Sequence, residues 1–134
     1  MPPVFLDSNI LIYTASADAR KAAVARELIF QGGVISVQVL NEVANVAINK
    51  MRLAWEEVDD LLLHARALLK VDPITIETHT RGIELIKNHK IATYDGMIVA
   101  AALIAGCSTL YSEDMHHGLV IDGVLTIVNP FKGA

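Results

Sequence analysis

Four acidic residues stand where apolar segments end or begin: Asp7, Glu42, Asp95 and Asp114. Asp7 follows Val4-Phe5-Leu6 and precedes Ser8 and Asn9, so three apolar residues run into a carboxylate, a hydroxyl and an amide. Asp114 follows an apolar run in the same way, through Ser112 and Glu113. Asp95 opens the nearly uncharged stretch that runs on to Ala105, and Glu42 borders a stripe of apolar residues. An aspartate at the end of a buried strand costs free energy unless something pairs it. Carboxylates brought into one pocket repel each other, and some would hold protons. Such a set suits a hard divalent cation, Mg²⁺ or Mn²⁺, which binds through carboxylates and keeps waters. One or two ions of this kind could activate a water and stabilise charge growing on a phosphoryl group.

The elements that must position these acids alternate between two periodicities. Val4-Phe5-Leu6, bounded by Pro2-Pro3, reads as a buried strand apolar on both faces. Its carboxyl end is where open α/β sheets place their ligand crevice. Ser16 to Gln31 reads as a helix capped by Ser16 or Asp18 and stopped by Gly32-Gly33, with Ala22, Ala23, Leu28 and Ile29 inward. Val34 to Val37 is a second strand, and a helix over Val39 to Lys50 turns Leu40, Val43, Ala44 and Ala47 to the core. After Lys50-Met51-Arg52 comes another helix with Trp55, Val58, Leu62, Ala65 and Leu69 in one stripe, Trp55 being core or groove floor. Pro73 makes Val71 to Ile76 an edge strand. Glu77 to His89 is a helix, and Thr93 is the expected N-cap of the Ala-rich helix that Gly106 ends. Ser108 to Ser112 and Leu125 to Val128 are the last strands, with His116-His117 in a solvated loop and Asn129-Pro130 as a stop.

Composition narrows the function. The chain of 134 residues reads as one domain, 53% hydrophobic and only 5% aromatic, which suits helices packed on a parallel sheet. A net charge of -4 excludes a general polyanion-binding surface, so a nucleic acid would have to bind through a local site or a metal. Cys107 is the sole cysteine, so no internal disulfide is possible, which fits a reducing cytoplasm. The run from Met97 to Cys107 is too short to span a bilayer, and the N-terminus has no signal-peptide pattern, so no membrane is expected.

Taken together and in order, Asp7-Ser8-Asn9, Asn41-Glu42-Val43, Tyr94-Asp95 and Ser112-Glu113-Asp114 resemble the four acidic motifs of PIN-domain nucleases. The resemblance covers the whole chain, and Val128 to Phe131 is similar to the tail of VapC-type toxins of toxin–antitoxin pairs. Gly96 departs from the pattern, which more usually has Ala or Ser after this aspartate. The resemblance implies a three-layer α/β/α fold with a mostly parallel sheet of about five strands in the order 3-2-1-4-5. Asp7 would lie on the central strand, Asp114 beside it, and Asp95 and Glu42 on flanking helices. It implies a metal-dependent endoribonuclease cutting single-stranded RNA, with Asp7, Asp95 and Asp114 as metal ligands. Glu42 would bind metal directly or through water, or orient the nucleophile. Ser8, Asn9 and Ser112 would support them. It further implies a homodimer and a cognate VapB-like antitoxin, for which the helix pair around Lys50-Met51-Arg52 offers a groove.

Two other classes share parts of the pattern. A haloacid-dehalogenase-like phosphatase also opens with an apolar strand and Asp, but needs a second Asp where Asn9 stands. A PIN fold can also serve as an inactive interaction module, against which stands the presence of all four acids.

Overall fold

The computed structural model describes residues 2–132; Met1 and the last two residues of the predicted tail, Gly133 and Ala134, lie outside the described residues. The elements run β1 (Val4–Leu6), α1 (Ser8–Tyr13), α2 (Ala19–Gln31), β2 (Val34–Ser36), α3 (Val37–Asn49), α4 (Trp55–Leu68), β3 (Lys70–Asp72), α5 (Ile76–His89), α6 (Thr93–Ile104), β4 (Thr109–Tyr111), β5 (Val120–Ile121) and β6 (Leu125–Val128). The strands form one sheet in the order β3-β2-β1-β4-β6-β5. All neighbours are parallel except β5 and β6. The five parallel strands are those read from the sequence, in the order expected. The addition is β5, which joins β6 through a turn whose central residues, Asp122 and Gly123, both have positive φ (53° and 68°). Asp-Gly is a favoured pair for such backbone.

The strands are two to four residues long; β1 is apolar throughout and ends at Asp7, and β6 ends at Asn129. Phe5, Leu6, Ile35, Leu110 and Ile127 are fully enclosed, and helices on both faces supply Ile10, Leu11, Val39, Val43, Ile98 and Val99 to the same core. Burying a side chain of this size stabilises the fold by about 1.5–3 kcal/mol. Among the described residues, no helix is long and apolar enough to cross a membrane.

Three local readings change. Ser8 to Tyr13 is helical: Asp7 is extended at φ -75° and ψ 164°, and its carboxylate accepts the Ser8 N–H. The buried face of α2 is Ala22, Ala25 and Ile29, with Ala23 outside. Trp55 starts α4 and is 66% exposed, so it is neither core nor groove floor. Val58, three positions on, is fully buried, so the covered part of α4 begins after its first turn.

Helices α5 and α6 cross with unusually little between them. A β-carbon on Gly96 would meet Ile86 Cγ1 at 2.6 Å and the Gly82 carbonyl oxygen at 3.1 Å. One on Gly82 would meet the Met97 sulfur at 2.6 Å. The two glycines let the backbones approach, which accounts for Gly96 where a larger residue is more usual.

Candidate active site

The parallel sheet brings the ends of β1 and β4 side by side, because Leu6 registers with Tyr111. The ladder continues one residue further, where the Asp7 N–H donates to the Tyr111 carbonyl at 3.0 Å. Asp7 is therefore fixed at both backbone and side chain, and it is only 4% exposed. Its Oδ1 accepts the Ser8 N–H at 2.7 Å, and its Oδ2 accepts the Ser112 hydroxyl at 2.7 Å. Burial pushes the Asp7 carboxyl up to about 6, and the charges of Glu42 and Asp95 add to the rise. The hydrogen bonds from Ser112 and Ser8 act the other way but do not cancel it.

The other acids connect to Asp7 through short polar links. The Ser8 hydroxyl donates to Glu42 Oε1 at 2.9 Å, reaching from the first turn of α1 to α3. The Asn9 amide lies 3.3 Å from Asp7 Oδ2 and 3.2 Å from Asp114 Oδ2. Its carbonyl oxygen accepts the Glu113 N–H at 3.2 Å, so Asn9 holds the segment that carries Asp114. The Asp114 N–H in turn donates to the Ser112 hydroxyl at 3.3 Å. Asp95 lies in the first turn of α6, whose N-cap is Ala92 with no side-chain hydrogen bond, not Thr93 as expected. Half-burial and the charges of Glu42 and Asp114 raise the Asp95 carboxyl above the usual carboxylate range. Asp95 and Glu42 line the same cleft. The structure thus brings all four sequence-predicted acids, with Ser8, Asn9 and Ser112, to the carboxyl end of β1 and β4.

The donor set fits a hard divalent cation: four carboxylates, two of them disfavoured as anions by their surroundings, which a cation would offset. Among the described residues, no three of these groups stand close enough to enclose an ion by themselves. A cation held here would complete its coordination shell with waters, as Mg²⁺ usually does.

Sequence reasoning missed the outer support. Lys21 Nζ on α2 donates to Glu113 Oε2 at 2.6 Å and to the Tyr13 hydroxyl at 3.2 Å. Tyr13 also donates to Glu113 Oε1. Burial would raise the Glu113 carboxyl, but the Lys21 and Tyr13 hydrogen bonds outweigh it and hold it below its ordinary value. Lys21 also lies over the rings of Tyr13 and Phe131, at 4.8 and 5.6 Å from their centroids. No local pattern marks Lys21, which stands between exposed Arg20 and buried Ala22. His117, in the loop after Asp114, accepts the Asn129 N–H through Nδ1 at 2.9 Å and so closes the loop onto the tail.

A second concavity, of about 400 Å³, lies away from the acids. It is lined by Leu11 of α1, Ile29 and Phe30 of α2, and Leu61, Ala65 and Leu68 of α4. The groove therefore runs between α2 and α4, not along the α3–α4 seam at Lys50-Met51-Arg52. Phe30, at its rim, is 80% exposed.

The family model for the PIN domain matches residues 4–118. No curated protein sequence matches the chain. Solved structures do. A toxin–antitoxin complex from Klebsiella pneumoniae superposes with a TM-score of 0.71 at 20% identity, covering 96% of this chain and 98% of that one. VapBC2 from Rickettsia felis, bound to a DNA fragment from its promoter, gives 0.67 at 19% identity over 94% and 98%. VapC20 from Mycobacterium tuberculosis, a toxin that cleaves the sarcin–ricin loop, gives 0.64 at 16% identity over 83% and 89%. At these identities the likeness is one of fold.

Proposed function

The chain belongs to the PIN domain family, and we propose that it is a metal-dependent endoribonuclease, the VapC-type toxin of a toxin–antitoxin pair, cutting single-stranded RNA. The observation that carries this reading is Asp7. It is a buried carboxyl at the end of the central strand, linked through Ser8 to Glu42 and through Asn9 to Asp114. Nothing in the packing of the core requires an acid there, and burial alone disfavours it.

In this reading Asp7, Asp95, Asp114 and Glu42 would hold Mg²⁺ or Mn²⁺, which when bound supplies an activated water and stabilises charge on the phosphoryl group. Ser112 and Ser8 keep the two oxygens of Asp7 from rotating. Asn9 sets the separation of Asp7 and Asp114. Ser8 and Gln38, which donates to Glu42 Oε2 at 2.9 Å, aim the Glu42 carboxylate. The net charge of -4 is consistent with RNA bound locally at this site and not over a broad basic face.

The test is cleavage of a labelled single-stranded RNA with Mg²⁺ or Mn²⁺, with chelator, and with Asp7→Asn. The reading expects cleavage only with metal and none by the variant. Cleavage that survives chelation, or that Asp7→Asn leaves intact, overturns it.

The structural relatives include complexes of toxin with antitoxin. By that analogy the apolar groove between α2 and α4 receives an amphipathic helix of a VapB-like antitoxin; the homodimer rests on the family resemblance alone. Phe30→Asp should abolish inhibition by the antitoxin while leaving RNA cleavage unchanged. Inhibition that persists places the partner elsewhere.

A further inference from the structure

A cleft of about 490 Å³ opens between α3 and the start of α6, within the usual range of small-molecule sites of about 300–1,000 Å³. Glu42 and Asp95 form one end of it, so it continues directly from the candidate active site. The rest of its lining has a different chemistry. Asn41 and Asn45 lie one turn apart on α3, both exposed, and share one helix face. Asn45 Oδ1 accepts from Asn49 at 2.6 Å, which leaves its amide nitrogen to donate into the cleft. Gln38 ties the two walls together, donating to Glu42 and to the Tyr94 carbonyl oxygen at 3.2 Å. Across from the amides is Tyr94, whose side chain is 71% exposed although it sits in a helix that is otherwise largely enclosed. Ile74, 44% exposed, forms the remaining edge.

We propose that this cleft binds one unstacked nucleobase of the RNA strand, beside the phosphate presented to the acids, with the Tyr94 ring as its stacking face and the Asn41 and Asn45 amides reading its edge. The inference rests on the nuclease reading and adds to it a place where base identity is sensed. The lining selects this occupant. No Lys or Arg lines the cleft, so apart from a cation held by Glu42 and Asp95 at its end nothing in it attracts a phosphate. An apolar side chain would leave the Asn amides without partners. A neutral base has a π-face for Tyr94 and both donors and acceptors for amides, which is how single-stranded RNA is commonly read. Amides at two positions give different hydrogen-bond patterns to different bases, so the cleft discriminates among them.

Neutral ribonucleosides test this without any cleavage. The side-chain amide signals of Asn41 and Asn45 are followed by NMR during titration with adenosine, guanosine, cytidine and uridine in turn. At least one nucleoside should shift both signals, Tyr94→Ala should remove the response, and Tyr94→Phe should keep it. In steady-state cleavage, Tyr94→Ala should raise KM about tenfold, the scale of one lost stacking contact, and Tyr94→Phe should restore it. Tyr94 is exposed, so neither change threatens the fold. No shift with any nucleoside, or a shift indifferent to Tyr94→Ala, overturns the proposal. So does a response to N-acetyl-arginine amide alone, which would make the cleft a seat for a partner's arginine. Cleavage without a nucleoside response removes the base site and leaves the nuclease reading standing; a nucleoside response without cleavage does the reverse.

Discussion

The side-chain amide of Asn9 donates from α1 to Asp114, in the segment after β4, at 3.2 Å, while facing Asp7 at 3.3 Å. One neutral group thus spaces two acids that would otherwise repel. A third acid at position 9, as some strand-end aspartate chemistries require, would place three carboxylates together.

Asn9→Asp should therefore destabilise the metal-free protein and narrow the difference once millimolar Mg²⁺ or Mn²⁺ is added, because a cation binds the added charge and the folded state together. Thermal melts with chelator and with metal measure this. An equal deficit in both would show that Asn9 acts only as a structural hydrogen bond.

The raised carboxyl of Asp7 has a definite sign in stability. Its folded value of about 6 lies above the ordinary 3.8, so the folded state prefers the protonated form. The stability this contributes is complete below about pH 4 and is lost as pH rises through 6, at a cost of about 3 kcal/mol. Asp7→Asn keeps an acceptor for the Ser8 N–H and does not titrate. Relative to wild type without metal, it should gain stability between pH 4 and pH 7. Denaturant unfolding at both pH values checks this, and a constant difference would contradict it.

Gly96→Ala should destabilise the protein by about 1–3 kcal/mol through overpacking against Ile86. Combining it with Ile86→Ala should recover part of the loss, a coupling that a double-mutant cycle reads directly. Asp95 precedes Gly96, so cleavage should fall more than the stability change alone explains.

Glu113→Gln should weaken RNA cleavage with little change in melting temperature. Glu113 is tied to Lys21 and Tyr13 on one side and carries Asp114 on the other. Tyr13→Phe, which keeps the Lys21–Glu113 pair, should do less harm. A larger effect from Tyr13→Phe would assign the ordering of this segment to the phenol and not to the ion pair.

The parallel sheet was legible where a short apolar run meets a polar stop, as at Val4–Leu6 before Asp7, and Glu42 and Asp95 were legible as acids bordering apolar helical stretches. Helix α1 was not: Ile10-Leu11-Ile12 looks like a continued strand, and its one signal is Asp7, a candidate site residue that also acts as the N-cap. The two residues of β5 lie between Gly118 and Gly123, and only the Asp122-Gly123 turn marks them. Trp55 fits its helical stripe by spacing, but spacing does not say where the covering helix ends. The links through Ser112 and Lys21 depend on β4 lying beside β1 and on α2 packing over α1, which no local pattern encodes.

The hydrogen bond from Ser112 to Asp7 joins residues 105 positions apart. That contact closes a long loop, whose entropy must be met before the pair is formed. A partly synthesised chain that ends before β4 has Asp7, Glu42 and Asp95 but neither Ser112 nor Asp114. The set of acids and their links therefore cannot close until β4 and the residues just after it have been made, whatever order the earlier elements fold in.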